Sequence, residues 1–181
     1  MEKIIDFFSR NVIDEYKSLT GEEIKQRLDK NKLPFGCLME HWTGDFTIGS
    51  MLRNANAFGA SEVFYLGGSK HWDRRSSLGV QNYTNFQFLR TLEEALPLKS
   101  KYSFVAFETG GKYELNDFVW PSNPLLIFGE EGPGITKDLL DICDYVVSIP
   151  QRGSVRSINA ACASAIAMYD FVSKHASNET K

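Results

Sequence analysis

Two loops that each follow a short apolar run constrain this 181-residue chain more than any other feature. The first run, PLLIF at 124–128, lies between polar residues and a glycine and is too short for a stable helix, so it predicts a buried strand. The loop after it, GEEGPG at 129–134, places three glycines and a proline around two acids, which indicates a turn with unusual backbone angles. A second buried strand is predicted at 144–149, and Pro150 ends it because proline has no amide hydrogen for a ladder.

The second loop, at 151–156, leads into a helix rich in small side chains. The sequence NAACASAIAMYDFV predicts this helix with Ser157 as its N-cap, and Thr136 is predicted to cap a short helix between the two strands. Both loops then leave the carboxyl edge of a parallel α/β sheet, where such sheets bind small ligands. Taken alone, the alanine-rich helix is more simply interpreted as a packed terminal helix.

The preceding part of the chain continues the alternation of strands and helices. Strands are predicted at 35–41, 62–66, 85–89 and 103–107, helices at 47–58 and 91–96, and a minor helix or turn at 115–120. The helix at 47–58 buries one apolar face and leaves Arg53 off that stripe. From periodicity alone, an arginine in such a position is more often a solvated surface charge than a functional group.

Residues 1–33 are predicted to form a helical extension, distinct from an α/β domain at 34–175 and a short tail at 176–181. Its apolar positions follow helical spacing: Ile4, Ile5, Phe8, Val12, Ile13, Tyr16 and Leu19. Thr20, with Glu23 three residues later, forms the pattern of a capping box and predicts a second short helix. Packing of this extension on the domain is favoured over a contact with RNA or a second subunit.

Composition restricts the classes of function that the chain can have. The formal charge is −3 and the sequence pI about 5.7, so any nucleic-acid contact must come from a local patch. No apolar run is long enough to span a membrane, and the N-terminus lacks a signal-peptide core, which favours the cytoplasm. Cys37, Cys143 and Cys162 lack CxxC spacing and a histidine cluster, so they are predicted to be reduced core residues, with no support for a metal site or a disulfide framework.

One stretch, SKHWDRRSSLGVQNY at 69–83, is the best candidate for a local basic patch. Its cations and aromatics are interleaved: Lys70, His71, Trp72, Arg74, Arg75 and Tyr83. Cations beside aromatic rings suit phosphate contact combined with base stacking. An ordinary exposed loop explains the same residues equally well.

Three motifs in order resemble the signatures of the SpoU/TrmH family, a branch of the SPOUT RNA methyltransferases. GDFTIGSMLRNANAFGASEVFYLG at 44–67 resembles the first motif, roughly NxGxxxRxAxxFG. FGEEGPG at 128–134 resembles FGxExxG, and IPQRGSVRSINAACASAIAMYDF at 149–171 resembles IPMxGxxxSLNVSxAxAixxYE. The resemblance implies a SPOUT fold with a C-terminal deep trefoil knot, a homodimer, S-adenosylmethionine as methyl donor without a metal, and a ribose 2′-hydroxyl of tRNA or rRNA as acceptor.

The resemblance also implies roles for the matched positions. Arg53 falls at the position of the family's invariant arginine and would orient and polarise the ribose and its phosphate; it is almost always protonated, so it is no ordinary base. Ser157 and Asn159 would position the arginine and the substrate. Glu131 would hold the loop or the arginine, although a structural carboxylate that accepts backbone N–H bonds explains it as well.

The resemblance further implies a set of cofactor-binding residues and a set of RNA-binding residues. The cofactor pocket is expected at Phe107, Glu108, Gly129, Ile149, Ser157 and Ile158. Contacts to RNA are expected at Arg53, Lys70, Arg74, Arg75, Arg152 and Arg156.

Three positions depart from the family pattern. Thr47 replaces an asparagine, Gln151 a methionine, and Ala161 the second serine of the third motif. The first and last of these leave open a catalytically silent SPOUT-like RNA-binding or assembly factor. A methyltransferase that modifies the N1 atom of guanine is a second alternative.

Overall fold

The structure, a computed structural model, describes residues 11–67 and 72–179. Within these ranges the strands are β1 Leu33–Glu40, β2 Ala60–Leu66, β3 Phe86–Leu89, β4 Ser103–Phe107, β5 Tyr113–Glu114, β6 Pro124–Phe128 and β7 Tyr145–Ser148. The α-helices are α1 Gly21–Asp29, α2 Asp45–Ala57, α3 Leu92–Ala95, α4 Lys137–Asp141 and α5 Ala160–Glu179.

The strands form one sheet in the order β3-β2-β1-β6-β4-β7-β5, and every neighbouring pair is parallel. The predicted parallel α/β sheet is therefore confirmed. All five residues of β6 are buried, because helices cover both faces of the sheet and leave no polar side for this strand. The order places β6 between β1 and β4, so the chain segments that follow these three strands meet at the centre of the carboxyl edge.

The helices α2 and α5 pack against one face of the sheet and against each other. The predicted apolar stripe of α2 is confirmed, because Ile48, Met51, Leu52 and Ala55 are all buried in the core cluster on that face. Helix α5 contributes Ala167, Met168 and Phe171 to the same cluster. This packing fixes the beginning of α5 beside the C-terminal part of α2, where Asn54 contacts Ala161 and Ser164.

The N-terminal prediction is confirmed in one part only. Thr20 and Glu23 form the expected capping box of α1, in which the Thr20 amide donates to the Glu23 carboxylate at 2.7 Å. Residues 11–19, however, contain only a single 3₁₀ turn at Asp14–Tyr16, and Ile13 is exposed. Side chains of this segment reach the core without a helix, and a short helix has little stability of its own in water. Ile4, Ile5 and Phe8 lie outside the described residues.

Two further differences concern the edge strand and the cysteines. Tyr113 and Glu114 form an additional edge strand, β5. A strand of two residues is too short to be predicted from a sequence pattern. Cys162 is exposed on α5, so its predicted core position is wrong. Burial raises the pKa of the Cys37 thiol, and that of Cys143 to about 12, so both are unreactive thiols. In the described ranges, no helix has the length and apolar character needed to cross a bilayer.

Candidate functional site

A cavity of about 330 Å³ opens at the carboxyl edge of the sheet, within the size range of small-molecule sites. Three segments wall it: residues 107–109 after β4, residues 128–134 after β6, and parts of 147–163 from β7 to α5. The structure places all six residues of the expected pocket on its wall: Phe107, Glu108, Gly129, Ile149, Ser157 and Ile158.

The glycine-rich loop at 129–134 is folded back on itself. Gly134 donates its amide to the Glu130 carbonyl at 2.9 Å and has a φ of +79°, a conformation that side chains rarely permit. A methyl group on Gly129 would lie within 3.0 Å of backbone atoms of Gly134 and Ile135, closer than real Cβ atoms are found. The loop therefore requires glycine at both ends, as the sequence indicated.

Two carboxylates hold the end of this loop. The amide of Ile135 donates to Glu108 Oε1 at 2.5 Å, and the amide of Thr136 donates to Glu40 Oε2 at 2.8 Å. Glu40 ends β1 and is only 3% exposed, whereas Glu108 follows β4. Because these strands flank β6 on both sides, successive amides after the loop are fixed to both neighbouring strands.

Thr136 shows how this contact replaces a predicted one. It precedes α4 at the N-cap position, but its side chain makes no capping hydrogen bond. The Thr136 hydroxyl donates to the Glu40 carboxylate instead. A buried carboxylate needs several donors, and this demand outweighs the cap of a helix of only five residues.

Trp42 connects the β1–α2 segment to the same loop. Its buried indole N–H lies 3.2 Å from the Phe128 carbonyl and 2.7 Å from the Gly129 carbonyl. The Thr43 hydroxyl donates to the Glu130 carboxylate at 3.3 Å. The segment that immediately precedes the first motif therefore contacts the second motif directly.

Asn159, and not Ser157, caps α5. Its side-chain oxygen accepts from the amides of Ala161 at 3.0 Å and Cys162 at 3.2 Å, so the predicted cap at Ser157 is wrong. The Asn159 amide group donates to the Glu131 carboxylate, which also accepts from the Ala160 amide at 3.3 Å. Residues 150–158 thereby remain free of helix, and Gln151, Arg156, Ser157 and Ile158 among them line the cavity. Glu131 therefore accepts a backbone N–H bond, as expected for a structural carboxylate. The donor, however, is the Ala160 amide of α5 and not an amide of the glycine-rich loop.

The α2–α5 contact explains how the departure at Ala161 is accommodated. Asn54 donates its side-chain amide to the Ala161 carbonyl at 2.9 Å and to the Ser164 hydroxyl at 3.3 Å. Ala161 is 5% exposed, so its small side chain suits the close approach of the two helices. Asn54 is the residue that ties the first motif to the third.

Arg53 lies on α2 with its side chain exposed, and it is not among the residues that wall the cavity of its own chain. Within the described residues it forms no hydrogen bond or ion pair. Its exposed helix face also carries Phe46, which is 70% exposed, and on the neighbouring α5 Ile166 and Tyr169 are exposed. The structure therefore does not bring Arg53 to the cavity within a single chain.

The expected RNA contacts are distributed around the site. Arg156 walls the cavity, and Arg152 is exposed in the same loop. Arg74 and Arg75 are exposed after β2, while Lys70 and His71 lie outside the described residues.

The prediction that Tyr83 stacks on RNA bases is wrong, whereas Trp72 is half-buried. Tyr83 is 5% exposed, and Trp72 packs edge-on against Phe86 with ring centroids 6.3 Å apart. The Tyr83 ring belongs to the core on this side of the sheet and the Trp72 ring packs against that core, because an aromatic residue next to a cation in sequence need not face the same way.

The two arginines of this segment differ. Arg75 pairs with Asp73, whose pKa this hydrogen-bonded guanidinium lowers to about 2, so the pair stays ionised. Arg74 has no such partner in the described part of the chain. Gly49 of α2 lies against the backbone of Ser76 and Ser77, which brings the segment onto the helix that carries Arg53.

Sequence reasoning missed several site residues. Trp42, Glu40 and Asn54 hold the cavity's segments together, and Glu130 walls it, yet none was singled out as functional. A tryptophan and an acid at the end of a predicted strand were visible signals. Between 11 and 67 and between 72 and 179, no cluster of three or more His, Cys, Asp or Glu is arranged to hold a metal ion.

Comparisons with known proteins show similarity to RNA methyltransferases. The model of the SpoU rRNA Methylase family matches residues 39–169. A 23S rRNA (uridine(2479)-2′-O)-methyltransferase of Streptomyces viridochromogenes is 30% identical over 156 residues, which are 80% of this chain and 54% of that protein. A 23S rRNA (guanosine-2′-O-)-methyltransferase of Shewanella oneidensis is 25% identical over 162 residues, covering 86% of this chain and 66% of the relative.

Solved structures of SpoU and TrmH proteins are also similar to this chain. The SpoU methyltransferase AviRb from Streptomyces viridochromogenes, in complex with the cofactor AdoMet, has a TM-score of 0.75 at 28% identity, covering 81% of this chain and 60% of that one. A TrmH/SpoU tRNA modifying enzyme of A. aeolicus has a TM-score of 0.76 at 16% identity, over 89% and 87% of the two chains, and shows the shared fold. The chain spans between half and two thirds of the length of the two curated relatives described. By its sequence motifs and its fold, the chain is a member of the SpoU rRNA methylase family.

Proposed function

We propose that this protein is an S-adenosylmethionine-dependent methyltransferase that modifies a ribose 2′-hydroxyl of tRNA or rRNA. The observation that carries the proposal is the cavity at the carboxyl edge of the sheet, which the second and third motifs wall and which Trp42, just before the first motif, braces. Relatives named as 23S rRNA 2′-O-methyltransferases and the AdoMet complex of AviRb support both the reaction and the cofactor.

The cavity's residues fit S-adenosylmethionine. Phe107 and Phe128 stack with centroids 5.0 Å apart, and Val147, Ile149 and Ile158 complete an apolar wall suited to an adenine ring. The glycine loop lets backbone groups approach a ligand closely. Carboxylates on the wall suit the cationic groups of the cofactor.

The chain's own residues position the acceptor. When bound, S-adenosylmethionine supplies a methyl group on a sulfonium, which is a good leaving group and needs no metal. The guanidinium of Arg53 binds the ribose and its phosphate and stabilises negative charge on the hydroxyl oxygen as its proton leaves to solvent. Glu131 and Asn159 hold the start of α5, and with it Ser157, at the rim of the cavity.

Arg53 performs this role on the partner's cavity in a homodimer. Its exposure, its absence from the wall of its own cavity, and the exposed Phe46, Ile166 and Tyr169 on the same helices support an interface formed by α2 and α5. In such a dimer each cavity receives its arginine from the other chain.

We expect light scattering at micromolar concentration to give a mass of about 41 kDa, twice the 20.5 kDa of one chain. Ile166→Glu places a charge on the proposed interface and raises the dimer dissociation constant at least about thirtyfold. Val119→Glu is the matched control, because Val119 is also exposed but lies outside α2 and α5. A wild-type mass near 20.5 kDa, or equal effects of both substitutions, contradicts the interface.

RNA contacts the exposed cations that follow β2, where Arg75 is paired with Asp73 and the Arg74 side chain has no partner among the described residues. We expect Arg74→Ala to weaken RNA binding about threefold to tenfold at low salt. The slope of the logarithm of the binding constant against the logarithm of the salt concentration should decrease in magnitude by slightly less than one. Arg75→Ala has a smaller effect, because its charge is already paired. Fluorescence anisotropy with a labelled tRNA over a salt series measures both, and equal losses contradict this assignment.

One experiment tests the proposed reaction against its alternatives. Purified protein is incubated with S-adenosylmethionine and total RNA from cells that lack it, and the digested RNA is analysed by mass spectrometry. Methyl groups on ribose support the proposal, whereas 1-methylguanine indicates base methylation. A folded protein that binds no S-adenosylmethionine in calorimetry indicates a silent RNA-binding factor.

Three finer features belong to the same proposal. The resemblance to SpoU/TrmH enzymes supports a deep trefoil knot that contains the segment before α5. The division into a helical extension at 1–33, a catalytic domain at 34–175 and a tail at 176–181 follows the start of β1 near residue 33, although α5 itself continues to Glu179. The unpaired cysteines support a reducing compartment, the cytoplasm.

A further inference from the structure

The cavity wall carries an excess of negative charge. Glu108, Glu130 and Glu131 line it, and Arg156 is the only cation among its described lining residues. S-adenosylmethionine carries a sulfonium, an ammonium and a carboxylate, so its net charge at neutral pH is positive. The demethylated product, S-adenosylhomocysteine, has a neutral thioether and no net charge. A negative wall therefore attracts the two ligands unequally.

The three carboxylates are not equivalent. Glu131 is compensated by the Asn159 side chain and the Ala160 amide at the start of α5. Glu130 accepts from the Thr43 hydroxyl. Glu108 accepts from the Ile135 amide, and all three carboxylates use only Oε1, so within the described residues the second oxygen of Glu108 remains available to a ligand.

The position of Glu108 also favours a strong effect. It is half-buried, whereas Glu131 is exposed, and it follows Phe107, whose ring stacks on Phe128 in the wall, so water screens its charge less than that of Glu131. A Cβ on Gly134 would lie 2.5 Å from Glu108 Oε1, so the glycine at this position is what lets the carboxylate lie against the loop.

We propose that Glu108 makes the cavity prefer the methyl donor to the demethylated product by charge, an inference that depends on the proposed function. On transfer, the methyl group forms a bond to the ribose oxygen, the electron pair of the broken carbon–sulfur bond stays on sulfur, and the hydroxyl proton leaves to solvent. The bound cofactor loses its positive charge in that step. Its attraction to Glu108 falls at once, which promotes release of the product.

Calorimetry on Glu108→Gln tests the proposal, because glutamine keeps an acceptor oxygen for the Ile135 amide and removes only the charge. We expect the affinity for S-adenosylmethionine to fall about tenfold, or about 1.4 kcal/mol, and that for S-adenosylhomocysteine to change by less than about twofold. Sinefungin, in which an amine replaces the sulfonium, follows the methyl donor. An unchanged ratio of the two affinities overturns the proposal.

Glu40→Gln is the matched control. Glu40 also holds the end of the loop, through Thr136, but it does not line the cavity, so this substitution changes both affinities alike. A measurement on the unmodified protein serves if either variant fails to fold: the preference for the methyl donor decreases between about 0.05 and about 0.5 M salt. Wild-type protein that binds neither ligand overturns the proposed cofactor as well, whereas an unchanged ratio with intact binding overturns the role of Glu108 alone.

Discussion

Arg53→Ala is expected to lower the rate of ribose methylation at least about a thousandfold while leaving the affinity for S-adenosylmethionine unchanged. The guanidinium both orients the ribose and stabilises charge on its oxygen, and it is absent from the wall of the cavity in its own chain. Single-turnover transfer of a labelled methyl group to RNA measures the first quantity, and calorimetry the second. Arg27→Ala is the matched control, because Arg27 is equally exposed but lies on α1, which contributes nothing to the cavity.

Co-expression of two inactive variants separates action within one chain from action across a dimer. One chain carries Arg53→Ala and the other carries Gly129→Ala. If Arg53 serves the partner's cavity, the mixed dimer contains one intact cavity supplied with an intact arginine, so turnover returns. If it serves its own cavity, both sites of the mixed dimer are dead. Absence of turnover in a verified mixed dimer contradicts the trans arrangement.

Gly129→Ala is expected to destabilise the protein by about 1–3 kcal/mol. It is also expected to weaken S-adenosylmethionine binding at least about a hundredfold, since a displacement of about 1 Å in a positioned site has effects of that order. The added methyl group would overlap the backbone of Gly134 and Ile135, which cannot yield without moving the loop. Thermal unfolding and calorimetry measure the two effects.

The control for this prediction lies in the neighbouring loop of the same site. A Cβ on Gly153 would meet no atom within 4 Å, and Gly153 does not adopt a positive φ. Gly153→Ala should therefore leave stability and cofactor affinity close to wild type. Equal losses from both substitutions would mean that the close approach at Gly129 is not what shapes the cavity.

Local sequence patterns predicted the strands well where a buried apolar run is bounded by residues that end a strand. β4 and β6 have the predicted bounds, because each is a short apolar run with a clear start and stop. The start of α5 was misplaced because Ser157 and Asn159 are both good N-cap residues. The choice between them depends on Glu131, a distant residue that binds the Asn159 side chain.

The interactions that shape the cavity depend on distant partners. The hydrogen bonds of Trp42 with Gly129 and of Glu40 with Thr136 join residues far apart in the chain, and no periodicity reveals them. The expected pocket residues came from the resemblance to a family, since composition alone would have left a glycine turn without a ligand. Tyr83 shows the opposite limit, because its neighbours suggested stacking on RNA and its burial excludes it.

The central position of β6 has a consequence for how the chain reaches this structure. Gly36 of β1 pairs with Leu125 of β6, so the middle of the sheet closes only after most of the polypeptide has been synthesised. Until then the edge of β1, with Cys37, Leu38 and Met39, is an unpaired apolar ladder that favours aggregation. The chain loses the entropy of closing this long loop before β1 and β6 can form their hydrogen bonds. We therefore expect slow refolding from denaturant and a dependence on chaperones in the cell.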